Sequence, residues 1–336
     1  MSEAYRRSGV DLDAKERLTE RLKAIGARAT RPEVLAGIGG FGGLVRLQGY
    51  RDPVLVAGTD GVGTKLELAR RLHRMAGVGQ DALAMVANDV LCEGAQMLFF
   101  LDYIGTGRLV PEEVAEVVEG VADACARLGC ALLGGETAEL PGLFPEGGFD
   151  LVGFGVGVVE RDQVVTGADV QEGDALIGLP SDGLHSNGFS LVRRIVAERA
   201  LDLEGEHGLG APLGELLLRP TRLYGPELAG ALQRGEVHGI AHITGGGIPG
   251  NVPRMLPHGL CAAFDARSWS VPPELGLLLE AGDIRRDEAY RVFNMGLGLV
   301  LAVPPAEAPH VLAEIRSAGG QAHVVGEVCT GEGVRI

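Results

Sequence analysis

The apolar positions of the chain follow a helical period in some stretches and form short runs in others, which predicts a mixture of helices and strands. Residues 11–29 place leucine and isoleucine on one stripe among charged residues, as in an amphipathic helix. Helical patterns also predict helices over 79–97, from Pro111, from the end of 181–187 to about Ala200, near 225–234 and over 305–317. Apolar runs predict strands at 44–47, 54–57, 97–104, 131–133, 149–160, 174–179, 237–243, 296–303 and 321–329.

Helices and strands are mixed in both halves of the sequence, which predicts an α/β or α+β protein of two domains. The boundary is expected near residues 161–172, where charged residues and glycine return after an apolar strand. We therefore expect an N-terminal domain of residues 1–165 and a C-terminal domain of residues 166–336. The length of 336 residues is consistent with two domains of ordinary size.

Composition narrows the classes of function. The formal net charge of −15 argues against a nucleic-acid-binding protein and against binding to an anionic membrane surface. The five cysteines form no C-x-x-C pair, which indicates reduced thiols in a cytoplasmic protein. Residues 1–15 are too polar for a signal peptide, and no apolar run is long enough to span a membrane.

The stretch 54–65 is the most informative in the sequence. A short apolar run ends in GTDGVGTK, where glycines allow the backbone to approach a ligand and Asp60 follows a strand. Lys65 opens the next helical pattern, where it can bring positive charge to a phosphate. The register differs by one residue from the phosphate loop of nucleotide triphosphatases, and the G-x-G-x-x-G pattern at 37–42 leads into a strand, so both familiar motifs are excluded. An ordinary glycine-rich connection is the alternative.

Three further polar clusters lie at the ends of apolar runs or within them. Asn88 and Asp89 fall in an apolar helical pattern, Glu136 follows a strand with Gly134 and Gly135, and 181–188 reads SDGLHSNG. Carboxylates from separate elements are the ligands that Mg²⁺ needs, and phosphate oxygens can complete the coordination. The alternative for each acid is a solvated position on the surface.

The segment 181–188 combines hydroxyl, amide and imidazole groups before a predicted helix. Such groups suit a phosphate or an oxyanion, and His185 could transfer a proton near neutral pH. Ser186 as a simple helix cap is the alternative. Thr244, Gly245, Gly246 and Gly247 follow a strand, and they form either a phosphate cradle or a turn into a helix. His238 and His242 have no adjacent third ligand, so we do not interpret them as a zinc site.

Taken together, these segments resemble one family, the phosphoribosylformylglycinamidine cyclo-ligases, also called aminoimidazole ribonucleotide synthetases. The resemblance extends from Tyr5 to the last strand, and the order and spacing of the segments are more specific than any one of them. The matching stretches are 9–11 (GVD), 31–34 (RPEV), 58–65 (GTDGVGTK), 86–89 (VAND), 99–103 (FFLDY), 134–141 (GGETAELP), 182–191 (DGLHSNGFSL), 242–247 (HITGGG) and 293–296 (FNMG).

The resemblance implies a step of purine synthesis, in which formylglycinamidine ribonucleotide and ATP give aminoimidazole ribonucleotide, ADP and phosphate. It implies an N-terminal ATP-binding and dimerisation domain whose sheet forms a β-barrel across a homodimer, and a C-terminal α+β domain that closes the active site. The formyl oxygen would be phosphorylated, and the amidine nitrogen would then close the ring.

The resemblance also assigns roles to individual residues. The catalytic residues would be His185, Asp60 and Lys65. Mg²⁺ would be held by Asp60, Asp89 and Glu136. ATP would be bound by Lys23, Gly61, Gly63, Thr64, Lys65, Asp89, Gly134 and Gly135. The nucleotide substrate would be bound by Ser186, Asn187, Thr244, Gly245, Gly246 and Gly247.

Other members of the same superfamily fit less well. Selenophosphate synthetase usually carries a reactive cysteine or selenocysteine near its start, and residues 1–43 contain no cysteine. Thiamine-monophosphate kinase would lack the segments GGETAELP and DGLHSNGFSL, and the amidotransferase of the preceding purine step is much longer. A catalytically silent nucleotide-binding scaffold is disfavoured because every acidic and basic candidate is present.

Overall fold

The computed structural model of the chain describes residues 12–336, with side chains from Lys15 onward. The chain divides into two compact units, one containing the described residues up to Val90 together with Met97–Val158, the other containing Leu91–Gln96 and Val159–Ile336. The matches proposed for Tyr5 and for residues 9–11 lie outside the described residues. No helix in the described part of the chain is long and apolar enough to cross a membrane.

The first unit is built on a four-stranded sheet with helices on one side. Its elements are α1 (Leu12–Gly26), β1 (Val34–Ala36), β2 (Leu44–Val45), β3 (Pro53–Gly61), α2 (Lys65–Arg71), α3 (Ala76–Cys92), β4 (Gln96–Thr106), α4 (Pro111–Leu128), β5 (Ala131–Glu139) and β6 (Phe149–Glu160). The sheet has the order β3-β6-β4-β5, and β4 and β5 are parallel. Strands β3 and β5 are therefore its two edges, while β1 and β2 form a separate antiparallel pair.

The two faces of the four-stranded sheet have different surroundings. One face packs against α3, since the α-carbon hydrogens of Gly58 and Gly155 point toward Val86 of that helix. Along β3, partly buried residues alternate with exposed ones, and Gly58 is one of the partly buried residues. Leu55 on β3, Tyr103 on β4 and Phe154 on β6 keep 59%, 40% and 43% of their surface exposed. Helix α3 thus covers one face of the sheet, and apolar side chains of β3, β4 and β6 remain exposed.

Helices α3 and α4 approach each other closely at two glycines. A Cβ at Gly79 would overlap the carbonyl oxygen of Val117, and a Cβ at Gly120 would overlap the carbonyl oxygen of Ala76. The two helix backbones are therefore in direct contact, and any side chain larger than hydrogen at either position would separate them.

The second unit contains a six-stranded sheet of order β12-β9-β11-β7-β10-β8. Its elements are β7 (Ala175–Pro180), α5 (Phe189–Glu198), α6 (Leu213–Leu217), α7 (Gly225–Gln233), β8 (Gly239–His242), α8 (Gly247–Asn251), β9 (Leu260–Phe264), α9 (Pro273–Gly282), α10 (Arg286–Val292), β10 (Leu297–Val303), α11 (Ala308–Ser317), β11 (His323–Thr330) and β12 (Gly333–Arg335). Strand β10 is buried along its whole length and pairs antiparallel with β7 and β8. A core of aliphatic side chains and Tyr224 packs around it.

The mixed α/β fold class predicted from the sequence is confirmed, and most predicted helices and strands are present with ends displaced by a few residues. Strand β5 is longer than predicted. The sequence analysis ended it before Gly134, but pairing with β4 continues to the partners Thr106 and Glu139. The apolar run at 131–133 corresponds only to the buried part of β5. The remaining residues of the strand are partly buried or exposed, so they give no apolar run in the sequence.

Candidate functional site

Asp60 and the glycine-rich turn lie at the end of β3. Asp60 is on the face of the strand that includes Gly58, and its Oδ1 accepts a hydrogen bond from the N–H of Gly61 at 2.7 Å. Gly63 has φ +68°, the left-handed conformation that glycine adopts at low cost. Thr64 then caps α2 without a side-chain hydrogen bond to the helix. The stretch 58–65 forms the strand–turn–helix connection expected from its sequence.

Lys65 is fully buried, and its Nζ lies 2.7 Å from Oδ2 of Asp81, which is also fully buried. Burial lowers the pKa of Lys65, while the charge of Asp81 acts in the opposite direction. The described contact of the ammonium is therefore a buried ion pair between the start of α2 and α3. The predicted contact of Lys65 with phosphates stays a prediction, and Asp81 is a partner that the sequence analysis did not identify.

The two other predicted metal ligands are accessible. Asp89 is exposed on α3, whereas its neighbour Asn88 is buried. Asp89 therefore faces solvent, although its neighbours in the sequence are mostly apolar. Glu136 on β5 is also exposed, and its Oε1 lies 3.5 Å from Nζ of Lys15. Asp60 and Glu136 lie on the opposite edge strands β3 and β5, which are three strand spacings or roughly 14 Å apart. That they share one Mg²⁺ ion stays a prediction.

Two glycines and a lysine predicted to bind ATP lie elsewhere in the first unit. Nζ of Lys23 lies 2.7 Å from Oε1 of Glu20, and its side chain passes beside Gly39 in the glycine-rich segment 37–43. Gly134 and Gly135 pair with Leu101 and Asp102 of the parallel neighbour β4. Burial raises the pKa of Asp102 to about 7. The predicted roles of Lys23, Gly134 and Gly135 remain untested by these contacts.

In the second unit, the loop 181–188 connects β7 to α5. His185 is buried, has φ +58°, and its Nε2 accepts a hydrogen bond from the N–H of Asp182 at 3.2 Å. Asn294 binds the same loop from the segment before β10, because its Nδ2 donates to the carbonyl of Gly183 at 2.9 Å. Ser186 lies with its hydroxyl 3.2 Å from that of Thr221. The loop is thus fixed by polar contacts from two other segments.

The loop 244–247 connects β8 to α8 and lies beside the loop 181–188. A Cβ at Gly245 would lie 3.5 Å from Oδ1 of Asn187, so the two predicted substrate loops meet. The side-chain amide of Asn251 donates to the carbonyls of Thr244, Gly245 and Gly247 at 3.3, 3.2 and 2.9 Å. Gly246 and Gly247 have positive φ, which gives the turn its shape.

Sequence reasoning assigned no role to the residues that shape these two loops, although Asn294 lies in the matching stretch 293–296. Asn251, Asn294 and Thr221 are buried polar side chains, and their contacts link segments distant in sequence. Thr221 lies between Arg219 and Arg222, so its local sequence gives no sign that it is buried.

A separate cluster in the second unit has the donor types of a metal site but is already paired. Ligand atoms of Glu236, Glu307 and His310 lie within 4.8 Å of one another. Nδ1 of His310 contacts Glu236 at 2.9 Å, and its Nε2 lies 3.6 Å from Oε1 of Glu314. Both ring nitrogens have carboxylate partners, so we interpret the cluster as a set of side-chain contacts that holds the start of α11.

Comparison with known proteins identifies the family. Residues 42–159 match the family model described as AIR synthase related protein, N-terminal domain, and residues 171–336 match the corresponding C-terminal domain. The chain is 51% identical over 338 residues to the phosphoribosylformylglycinamidine cyclo-ligase of Geobacillus kaustophilus (strain HTA426), covering 99% of this chain and 98% of that protein. The chain belongs to the phosphoribosylformylglycinamidine cyclo-ligase family. A cyclo-ligase of Myxococcus xanthus (strain DK1622) is also 51% identical, with the same coverage.

Solved structures outside the cyclo-ligase family have the same fold. Thiamine-monophosphate kinase from Stenotrophomonas maltophilia K279a aligns with a TM-score of 0.72 at 21% identity, covering 95% of both chains. The hydrogenase maturation protein HypE of E. coli aligns with a TM-score of 0.66 at 18% identity, covering 95% of this chain and 92% of HypE. At these identities the likeness shows the fold alone.

Proposed function

We propose that this member of the cyclo-ligase family closes the imidazole ring of aminoimidazole ribonucleotide in purine biosynthesis. The substrates are formylglycinamidine ribonucleotide and ATP, and the products are aminoimidazole ribonucleotide, ADP and phosphate. The observation that carries the proposal is 51% identity to a named cyclo-ligase over 99% of the chain. A structural relative of lower identity, a HypE protein, is described as a complex with ATP, which supports the nucleotide.

The proposed chemistry has two steps. The formyl oxygen is a poor leaving group, and transfer of the γ-phosphoryl group of ATP to it creates a good one. The amidine nitrogen then attacks the same carbon, the carbon–oxygen bond breaks, and phosphate leaves as the ring closes. Phosphoryl transfer depends mainly on positioning and on neutralising negative charge. We assign ATP to the turn containing Gly61, Gly63 and Thr64, with Lys23, Gly134 and Gly135 as further proposed contacts.

The residues of the first unit fit a bound Mg²⁺ ion. Asp60 and Asp89 offer hard carboxylate oxygens, and Asp89 is exposed and able to reach a ligand. Glu136 is exposed on the opposite edge of the sheet, so we assign it to a separate contact with the nucleotide or its metal. When bound, Mg²⁺ supplies positive charge to the phosphate oxygens. Lys65 acts in this proposal by fixing Asp81 and α3 beside the turn.

The two loops of the second unit supply the proposed contacts with the nucleotide substrate. The side chains of Ser186 and Asn187 and the backbone amides of 244–247 are groups that bind phosphate or an oxyanion. His185 is buried beside them, and its imidazole can hold or release a proton during ring closure. We also propose that the enzyme is cytoplasmic and acts as a homodimer through the exposed face of the four-stranded sheet, with no nucleic-acid or membrane partner.

A product assay tests the reaction. The purified chain is incubated with formylglycinamidine ribonucleotide, ATP and Mg²⁺, and the mixture is analysed by mass spectrometry. We expect aminoimidazole ribonucleotide and ADP in equal amounts. Consumption of ATP without the imidazole product would show phosphorylation of another acceptor and would contradict the proposal.

A pair of variants tests the metal and nucleotide assignment. Asp60→Asn removes a charge from the turn after β3, and we expect turnover to fall on the order of 10²–10³-fold. Asp123→Asn removes a similar charge from the exposed surface of α4, where Asp123 faces Arg28 at 3.7 Å, and should leave turnover unchanged. Equal turnover of Asp60→Asn and the parent chain would refute the assignment.

A further inference from the structure

One short segment of the second unit contacts the loop 181–188 at both of its ends. We call it the 221–224 segment, and it precedes α7. Thr221 and Tyr224 are completely buried, and Arg222 is largely buried. The cyclo-ligase reaction as proposed above assigns no role to these residues. Thr221, Arg222 and Tyr224 each contact the loop or the residue directly before it, so they act on the same part of the structure.

Tyr224 connects the start of the loop to the imidazole within it. Its hydroxyl donates a hydrogen bond to the carbonyl oxygen of Pro180 at 2.9 Å, at the end of β7. Its ring lies 6.3 Å from the ring of His185, centroid to centroid, with an angle of 56° between the planes. A single buried side chain therefore contacts the backbone before the loop and the side chain in its middle.

The neighbouring strand β10 leaves space for this contact at Gly298. A Cβ at that position would overlap the hydroxyl of Tyr224 and would lie 2.7 Å from Cε1 of His185. Tyr224 and His185 thus share one closed space beside a strand that is buried along its whole length. Neither ring can move toward β10.

The other residues of the segment contact the ends of the loop. Nη1 of Arg222 lies 3.4 Å from the carbonyl oxygen of Pro180 and 3.6 Å from Oδ1 of Asp182. The guanidinium is held in place by Glu227, at 2.8 and 3.0 Å, and lies 5.7 Å from the centre of the Tyr224 ring. The hydroxyl of Thr221 lies 3.2 Å from that of Ser186.

His185 needs such support because of its backbone conformation. Its φ of +58° lies in the left-handed region that residues with a Cβ seldom adopt, and such a conformation persists only when its surroundings maintain it. The ring accepts the N–H of Asp182 at Nε2, so the neutral imidazole carries its proton at Nδ1. This hydrogen bond joins two residues of the loop, so a change in the internal conformation of the loop would break it and allow the other tautomer.

We propose that Tyr224 is a positioning residue of the reaction, which fixes the orientation and tautomer of His185 through Pro180 and through ring contact. Arg222 and Thr221 support the same loop at Asp182 and Ser186. This inference rests on the proposed function for its kinetic consequence, although the geometry of His185 is a property of the unit itself.

The test uses the full chain and the variant Tyr224→Phe, which keeps the ring and removes the hydroxyl. We expect kcat to fall between about 10-fold and 100-fold, because small displacements of a reacting group have effects of this size. The KM for ATP should be unchanged, since the segment belongs to the other unit. The ¹⁵N NMR signals of histidine-labelled protein, with His185 assigned by their loss in His185→Gln, should change from the Nδ1–H tautomer to a mixture.

The control is Ile315→Val, which removes a methyl group from the same core as Tyr224. We expect it to lower Tm and to leave both kcat and the His185 signals unchanged. A Tyr224→Phe variant with parental kcat and parental His185 signals would overturn the inference. A parent chain without turnover would count against the proposed function, and the NMR comparison would still decide whether Tyr224 fixes His185.

Discussion

At the scale of single residues, Lys65 and Asp81 show how a charge can be used for structure. Both side chains are fully buried and their charged atoms lie 2.7 Å apart. A buried ion pair contributes little net stability compared with apolar residues, but each partner requires the other because an unpaired buried charge is costly. The pair attaches the start of α2 to α3, the helix that also contains Asp89.

We expect Asp81→Asn to lower the free energy of unfolding by about 3–5 kcal/mol, because it removes the carboxylate charge 2.7 Å from the buried ammonium of Lys65. The double variant Lys65→Met with Asp81→Leu removes both charges and should recover most of that loss. Urea denaturation followed by circular dichroism measures both values. A double variant no more stable than Asp81→Asn would contradict the ion-pair explanation.

The same residues show the limit of prediction from sequence at this site. The glycine-rich turn and the position of Asp60 follow from local pattern, and the structure forms them as expected. The burial of Lys65 does not follow, because its partner is sixteen residues away on another helix and depends on how α2 and α3 pack. Asp89 likewise lies in an apolar sequence but on the exposed side of α3, which only the orientation of the helix decides.

At the scale of elements, helices α3 and α4 meet through backbone atoms at Gly79 and Gly120. Neither helix could be placed this closely with a side chain at those positions. The helical periods predicted both helices, and their existence and type follow from local pattern. Their crossing point does not, since a glycine in a helical pattern by itself indicates only a weaker helix.

We expect Gly120→Ala to lower the free energy of unfolding by about 3 kcal/mol, because the new methyl group forces the two helices apart. Gly276→Ala is the matched control, since Gly276 is exposed in α9 with open space around its Cα. That variant should raise stability by about 0.4–1 kcal/mol, as expected for alanine at an unstrained helical position. Thermal unfolding of the two variants should move Tm in opposite directions. A shared upward shift would show that α3 and α4 can accommodate the methyl group.

At the scale of the whole molecule, the four-stranded sheet has an exposed side that carries large apolar residues. Its exposed side carries Leu55, Tyr103 and Phe154, and its edge strands β3 and β5 each pair with one strand of that sheet. Exposed apolar clusters of this kind usually mark a protein interface. Pairing with a second copy would cover this face, and the exposed apolar side chains therefore support the proposed homodimer.

We expect Phe154→Asp to convert the chain from a dimer to a monomer, because burying an unpaired carboxylate in the interface opposes association. Size-exclusion chromatography with light scattering gives the mass directly. Val324→Asp places the same charge at another exposed apolar position, on β11 of the second unit, and should leave the mass unchanged. A parent chain that is already monomeric at micromolar concentration would refute the proposed homodimer.

The contact between α3 and α4 also limits how this sequence can diverge. The atoms that exclude a side chain at Gly79 and Gly120 are carbonyl oxygens of the opposite helix, which every amino acid possesses. No substitution in the partner helix can therefore compensate for a larger residue, as it could in an ordinary packed core. In a set of descendants we expect these two positions to stay fixed independently and not to co-vary, and a method that infers contacts from covariation would miss this one.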